Sequence, residues 1–121
     1  MTSTLRDICF DCADQYRVGR FWADVLGYRM HTAEGEGTEE PVALVPEDGN
    51  LRIWFNHVPE PKTAKNRVHI DINLPDAAEM DRLLSLGATV IEEIRDENGA
   101  LMWTIMGDPE ANEFCAFPPR D

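Results

Sequence analysis

The chain repeats itself at half its length. Asp14 and Asp76 stand 62 residues apart, and the same shift lays Asp7 on His69, Asp11 on Asn73 and Asn50 on Asn112. Each aspartate opens an apolar stripe of helical spacing, and each stripe stops at a Leu-Gly pair, Leu26-Gly27 and Leu86-Gly87. One motif copied twice implies a pseudo-two-fold fold with any pocket at the seam between the copies. The 121 residues suffice for one domain with a real core, so we read 1–121 as a single domain built from two modules.

The elements of the two copies read alike. Over 5–12, Ile8, Phe10 and Cys12 alternate with Asp7, Cys9 and Asp11, the pattern of a strand with one apolar face. Asp14 suits an N-cap, Val18, Phe21, Trp22, Val25 and Leu26 make an amphipathic stripe, and Gly27 suits the left-handed position that ends a helix. Strands are expected near 28–33, 41–46 and 50–57, with the acidic stretch 34–40 as a mobile loop between the first two. Residues 58–66 form a crossover in which Pro59 and Pro61 forbid regular pairing.

The pattern then restarts. Val68, Ile70, Ile72 and Leu74 alternate with Arg67, His69, Asp71 and Asn73 over 67–74. Asp76 and Glu79 are spaced as a capping box, and Met80, Leu83 and Leu84 are the expected buried stripe of the second helix. Strands near 88–95, 100–106 and 112–117 follow, with Asn98-Gly99 a two-residue hairpin signal. The fold reading is α+β: a βαβββ module over 5–57, a crossover, and a second βαβββ module over 67–117, with curved mixed sheets enclosing a cavity. Helices cover the apolar sheet faces, so Asp7, Cys9, Asp11, Arg67, His69, Asp71 and Asn73 line the other, concave side. So many polar groups there suit a wet cavity.

Composition narrows the function. With 23 acidic and 11 basic residues the net charge is −12, which argues against nucleic acid and anionic membranes as partners. No apolar run approaches the ~20 residues of a membrane span, and Met1 to Asp7 lacks the basic and apolar regions of a signal peptide. A cytoplasmic protein is expected. Three cysteines make a disulfide framework a poor reading. Cys9 and Cys12 form a C-x-x-C within a strand, where their side chains point to opposite faces, so buried, inert thiols are expected.

The run Asp14-Gln-Tyr-Arg-Val-Gly-Arg-Phe-Trp-Ala-Asp-Val-Leu-Gly27 resembles the opening of the vicinal oxygen chelate superfamily, which includes glyoxalase I, extradiol dioxygenases, and fosfomycin and bleomycin resistance proteins. The stretches 58–71 and 108–115 resemble its glyoxalase-like subgroup. The resemblance covers nearly the whole chain. It implies a homodimer, and metal ligands at four positions on the first and last strand of each copy. Carried over, these are Asp7, His69, Cys115 and, through the 62-residue shift, Ile53, or Asn56 if insertions move the register.

Ile53 is no ligand and Cys115 is a soft one, whereas a catalytic zinc or iron site generally takes three protein ligands. No cofactor is therefore expected. The alternative is a divalent ion (Zn, Fe, Mn or Ni) on Asp7 and His69. An aspartate beside His69, either Asp7 or Asp71, would equip it as a general acid or base. Cys115 close to His69 would allow a thiolate–imidazolium pair, so these two are the candidate catalytic residues.

Trp54, Phe55, Trp103 and Phe117 lie on strands of the two copies, and aromatic rings offer flat apolar contact to a planar ligand. Trp54 and Phe55 are strand neighbours, so one of them faces the cavity. Lys62, Lys65 and Arg67 are the basic cluster of an acidic chain and either steer an anionic ligand or pair with surface carboxylates. The expected binding set is Asp7, Trp54, Asn56, His69, Asp71, Trp103 and Cys115. The function expected is binding of a small metabolite or antibiotic, aromatic ones included, without catalytic metal. The alternative is a metal-dependent lyase, isomerase or dioxygenase of the glyoxalase type.

Overall fold

The computed structural model describes residues 1–32 and 39–119. The chain divides into two compact units, Met1–Pro61 and Lys62–Asp121, each taken in turn.

The first unit runs β1 (Asp7–Cys12), α1 (Gln15–Leu26), β2 (Arg29–Thr32), β3 (Val42–Val45) and β4 (Arg52–His57). The sheet order is β1-β4-β3-β2, with β1 parallel to β4 and the other pairs antiparallel. The Asp14 carboxylate accepts the Arg17 N–H, as a helix N-cap should, and Gly27 ends α1 at φ 70°. Val18, Phe21 and Trp22 of α1 are buried. Phe10 packs between Trp22 and Phe55, ring centroids 6.3 and 5.2 Å away, and Phe21 meets Trp22 edge-on. Each fully buried large side chain contributes about 1.5–3 kcal/mol. A Cβ on Gly19 would stand 3.0 Å from Val42 Cγ1, so the glycine is what lets α1 approach β3. Ala33 and most of the acidic stretch 34–40 lie outside the described residues.

The second unit runs β5 (Asp71–Asn73), α2 (Glu79–Leu86), β6 (Thr89–Arg95), β7 (Leu101–Gly107) and β8 (Glu113–Phe117). Its sheet order is β5-β8-β7-β6, with β5 parallel to β8. The fold is thus α+β: two βαβββ modules, each a four-stranded mixed sheet with one helix and open edges. Among the described residues no helix is long and apolar enough to cross a membrane.

Four local expectations are corrected here. The strand expected over 67–74 shrinks to Asp71–Asn73, because Glu113 holds the incoming chain by its side chain: Glu113 Oε1 accepts the Asn66 N–H at 3.1 Å. The ladder with β8 starts only where Cys115 N–H donates to the Ile70 carbonyl, and Val68 is left 72% exposed. Asp76 accepts the Glu79 N–H, but Glu79 turns to Arg82 at 2.7 Å instead of closing a capping box. Leu83 is fully buried, yet Leu84 is 41% exposed, because the eight-residue α2 buries a narrower stripe. The β6–β7 connection has three loop residues, not two: Asp96 N–H donates to the Ala100 carbonyl, Asp96 Oδ1 accepts from Asn98 and Ala100 N–H, and Gly99 takes φ 83°.

Candidate functional site

In the first sheet α1 covers one face, and in both sheets the alternation of side chains fixes which residues share a face. Phe10, Ile53 and Phe55 are on the helix side of the first sheet, so Asp7, Cys9 and Asp11 of β1 and Arg52, Trp54 and Asn56 of β4 are on the open face. Trp54 is therefore the cavity-facing member of the Trp54–Phe55 pair. Phe114 and Ala116 are buried in the second sheet, while Glu113, Cys115 and Phe117 share the open face with Asp71, Trp103 and Ile105.

Strand register corrects the expected match for Cys115. Asp71 pairs with Cys115, and Cys9, which stands 62 residues before Asp71, pairs with Trp54. The residue of the first copy that answers to Cys115 is thus Trp54, not Ile53 or Asn56. The cause is one additional residue. Gly49 and Ala111 match at the 62-residue shift, with φ 75° and 66°. After Asn50 the first copy inserts Leu51, at φ 42°, and from Arg52 onward the shift is 61. Ile53 thereby falls under the helix side, 8% exposed.

The open face of each module carries a cavity. In the first it is about 230 Å³ and is lined by Arg6, Asp7, Gly49, Leu51, Arg52 and Trp54, with Arg6 Nε 3.3 Å from Asp7 Oδ2. Asn56 is half-buried on the same face, beside Asp11. In the second it is about 270 Å³. Trp103, Ile105, Cys115 and Phe117 form its floor, and Lys65, His69, Asp71 and Glu113 its polar rim. The Trp103 and Phe117 rings lie 5.8 Å apart at 31°, a tilted stack. Of the expected binding set, the second cavity gathers His69, Asp71, Trp103 and Cys115; Asp7 and Trp54 line the first.

The rim has a definite charge arrangement. His69 Nε2 stands 3.3 Å from Asp71 Oδ1. The ligand atoms of His69, Asp71 and Cys115 all lie within 4.8 Å of one another. Burial pushes the Cys115 thiol up, and the charge of Asp71 and its hydrogen bond to the thiol add to the shift, against a smaller opposing effect of Lys65. That is opposite to the depressed pKa of an activated cysteine. Cys12 is buried as expected; Cys9, on the open face of β1, is exposed, and none of the three cysteines is in a disulfide among the described residues.

The basic cluster divides. Lys62 pairs with Glu113 at 2.9 Å, whereas Lys65 lines the cavity. Glu113 is the functional-face residue that the sequence reading missed. The signal was present: it stands two residues before Cys115, on the same face of one strand. Asp108 prepares this strand. Buried itself, it accepts the N–H groups of Glu110 and Asn112 and the Asn112 side-chain amide, which sets the turn into β8.

The sequence matches the glyoxalase-like domain over residues 7–117. The chain belongs to that family. No curated protein matches it. Glyoxalase-like folds recur among solved structures. A variant of the fosfomycin resistance protein FosX from Listeria monocytogenes, solved with Mn(II) and 1S,2S-dihydroxypropylphosphonic acid, is 15% identical, with 99% of this chain and 93% of that one covered and a TM-score of 0.72. A glyoxalase/bleomycin resistance protein/dioxygenase family enzyme from Burkholderia phytofirmans is 17% identical, with coverage of 98% and 100% and a TM-score of 0.68. FosX from Mesorhizobium loti is 18% identical, with coverage of 97% and 92% and a TM-score of 0.65. At these identities the likeness establishes the fold alone.

Proposed function

We propose that this glyoxalase-like chain binds a small aromatic metabolite or antibiotic on the open face of its second sheet. The observation that carries the reading is the cavity floored by the tilted Trp103–Phe117 pair and rimmed by polar side chains. Small-molecule sites have this composition: apolar walls supply contact area, and a few polar groups fix orientation. Its volume of about 270 Å³ is near the lower end of ligand pockets, which favours a one- or two-ring compound. His69 and Asp71 then act as hydrogen-bonding groups. With its thiol protonated, Cys115 supplies wall. A fluorescence titration tests the reading. Naphthalene-sized compounds should quench tryptophan emission saturably, and Trp103→Ala should remove most of that response. Linear, unsaturable quenching would oppose it.

A second reading, metal-assisted catalysis, is favoured by the donor cluster of His69, Asp71 and Cys115. Their nitrogen, oxygen and sulfur atoms fit a borderline-soft divalent ion such as Zn²⁺ in number and kind. Asp71 here takes the place expected for Asp7, and Trp54, at the matching position of the first copy, cannot donate. Such an ion would supply Lewis-acid polarisation of a substrate oxygen. His69 and Asp71 would hold the ion at the half-exposed rim, where a substrate can reach it. Zn²⁺ at 100 times its Kd would stabilise the fold by ~2.7 kcal/mol. A melting-temperature rise of several degrees that disappears in His69→Ala, with stoichiometric metal by elemental analysis, would move the protein to this reading.

A further inference from the structure

Resting on the proposal that the second-module cavity binds an aromatic compound, we infer that its ligand is an anion, an aryl carboxylate or a compound of like charge, whose acid group is held by Lys65.

The rim of the cavity carries four charged or titratable side chains, and three are already engaged. Glu113 is held by Lys62 Nζ at 2.9 Å and by the Asn66 N–H at 3.1 Å. Asp71 faces His69 Nε2 at 3.3 Å. Lys65 has no carboxylate partner and no hydrogen bond among the described residues, yet it lines the same cavity as Trp103 and Phe117. Its charge is felt at the Cys115 sulfur on the floor. The chain carries 11 basic against 23 acidic residues, and Lys65 is the one cation on this rim that no carboxylate holds among the described residues.

Lysine binds anions as a mobile point charge with three donors. A planar ring stacked on the Trp103–Phe117 floor would present a carboxylate at the rim, where the ammonium meets it in a charge-assisted hydrogen bond. The neighbouring Lys62 does not compete for that role, because Glu113 neutralises it. An arylmethylamine, protonated at neutral pH, would bring a second cation to Lys65 and would be rejected.

Isothermal titration of the purified chain with 2-naphthoate, 2-naphthylmethanol and 2-naphthylmethylamine tests this. The native protein should bind the carboxylate about tenfold more tightly than the alcohol, the scale of a charge-assisted hydrogen bond, and the amine most weakly. Lys65→Met should bring the carboxylate-to-alcohol ratio to about one. Arg67→Met, an exposed cation outside the cavity lining, should leave the ratio as in the native chain. Equal affinity for carboxylate and alcohol, a preference that survives Lys65→Met, or one lost equally in Arg67→Met would overturn the inference while leaving the aromatic site standing. Failure of all three compounds to bind would overturn the aromatic site and this inference with it.

Discussion

Cys115 carries its thiol between the apolar floor of the second cavity and the carboxylate of Asp71, and both hold the proton on. Cys12 is buried against the Asn56 carbonyl, 3.6 Å from its sulfur, while Cys9 is exposed. Thiolates, not thiols, react with alkylating reagents. Iodoacetamide on the native chain near pH 8 should therefore modify Cys9 first, and Cys12 and Cys115 only on unfolding, as peptide mapping would read. Cys115 reacting fastest would instead mark an activated nucleophile. Because a raised thiol pKa favours the folded state only while the proton stays on, stability from Cys115 is complete below the ordinary value of 9.0 and is lost as pH rises above it. Ligand contacts divide by the same logic of environment. Trp103→Ala should weaken binding of an aromatic compound by about 1–3 kcal/mol, the scale of a buried aromatic anchor. His69→Ala should cost about 0.5–1.5 kcal/mol, since it removes at most a hydrogen bond. Titration calorimetry on the two variants decides the order.

Two elements deliver the cavity's side chains, and both can be tested by stability. The turn before β8 depends on Asp108, whose carboxylate accepts from Glu110, from Asn112 and from the Asn112 amide. Asp108→Ala leaves partly buried donors without their acceptor and should cost about 1–3 kcal/mol in urea unfolding; a value within experimental error would show the turn is held elsewhere. Glu113 ties the incoming strand to β8. Burial alone would raise its pKa, but the hydrogen bonds from Lys62 and the Asn66 N–H outweigh it and hold the carboxyl below the ordinary value. A depressed carboxyl contributes stability that is present above the ordinary 4.5 and lost as pH falls below it. Glu113→Gln should therefore be less stable than the native chain at neutral pH, with the gap closing in acid. These elements also mark what the sequence made legible. The Asp14 cap, the Gly27 and Gly87 stops and the strand alternation follow from local spacing, and they were read. The Leu51 insertion, the side-chain tie from Glu113 to Asn66 and the division of Lys62 from Lys65 are tertiary facts. A 62-residue shift carries no trace of a single left-handed residue, so it lays Ile53 on Cys115 where the strand register puts Trp54.

Across the whole molecule the two copies have diverged in core and in open face. The twelve-residue α1 buries Val18, Phe21, Trp22 and others, whereas α2, with eight residues, fully buries only Leu83. Amide hydrogen exchange should accordingly be faster in α2 than in α1, since protection follows buried apolar packing; equal protection would mean that α2 draws support from contacts beyond its own module. The open faces differ in chemistry: an arginine–aspartate rim beside Trp54 in the first module, an aromatic floor with an unpaired lysine in the second. The second of these is the proposed binding site, and the chain's three tryptophans separate it from the rest of the molecule. Trp22 is sealed under α1, Trp54 lies on the first open face, and Trp103 lies on the floor of the second cavity. The most direct measurement is a nitrogen–proton spectrum of the indole groups during titration with 2-naphthoate. The Trp103 resonance should move saturably while that of Trp22 stays fixed; a Trp103 resonance that does not move, with shifts confined to Trp54 or absent altogether, would rule out binding on the second open face.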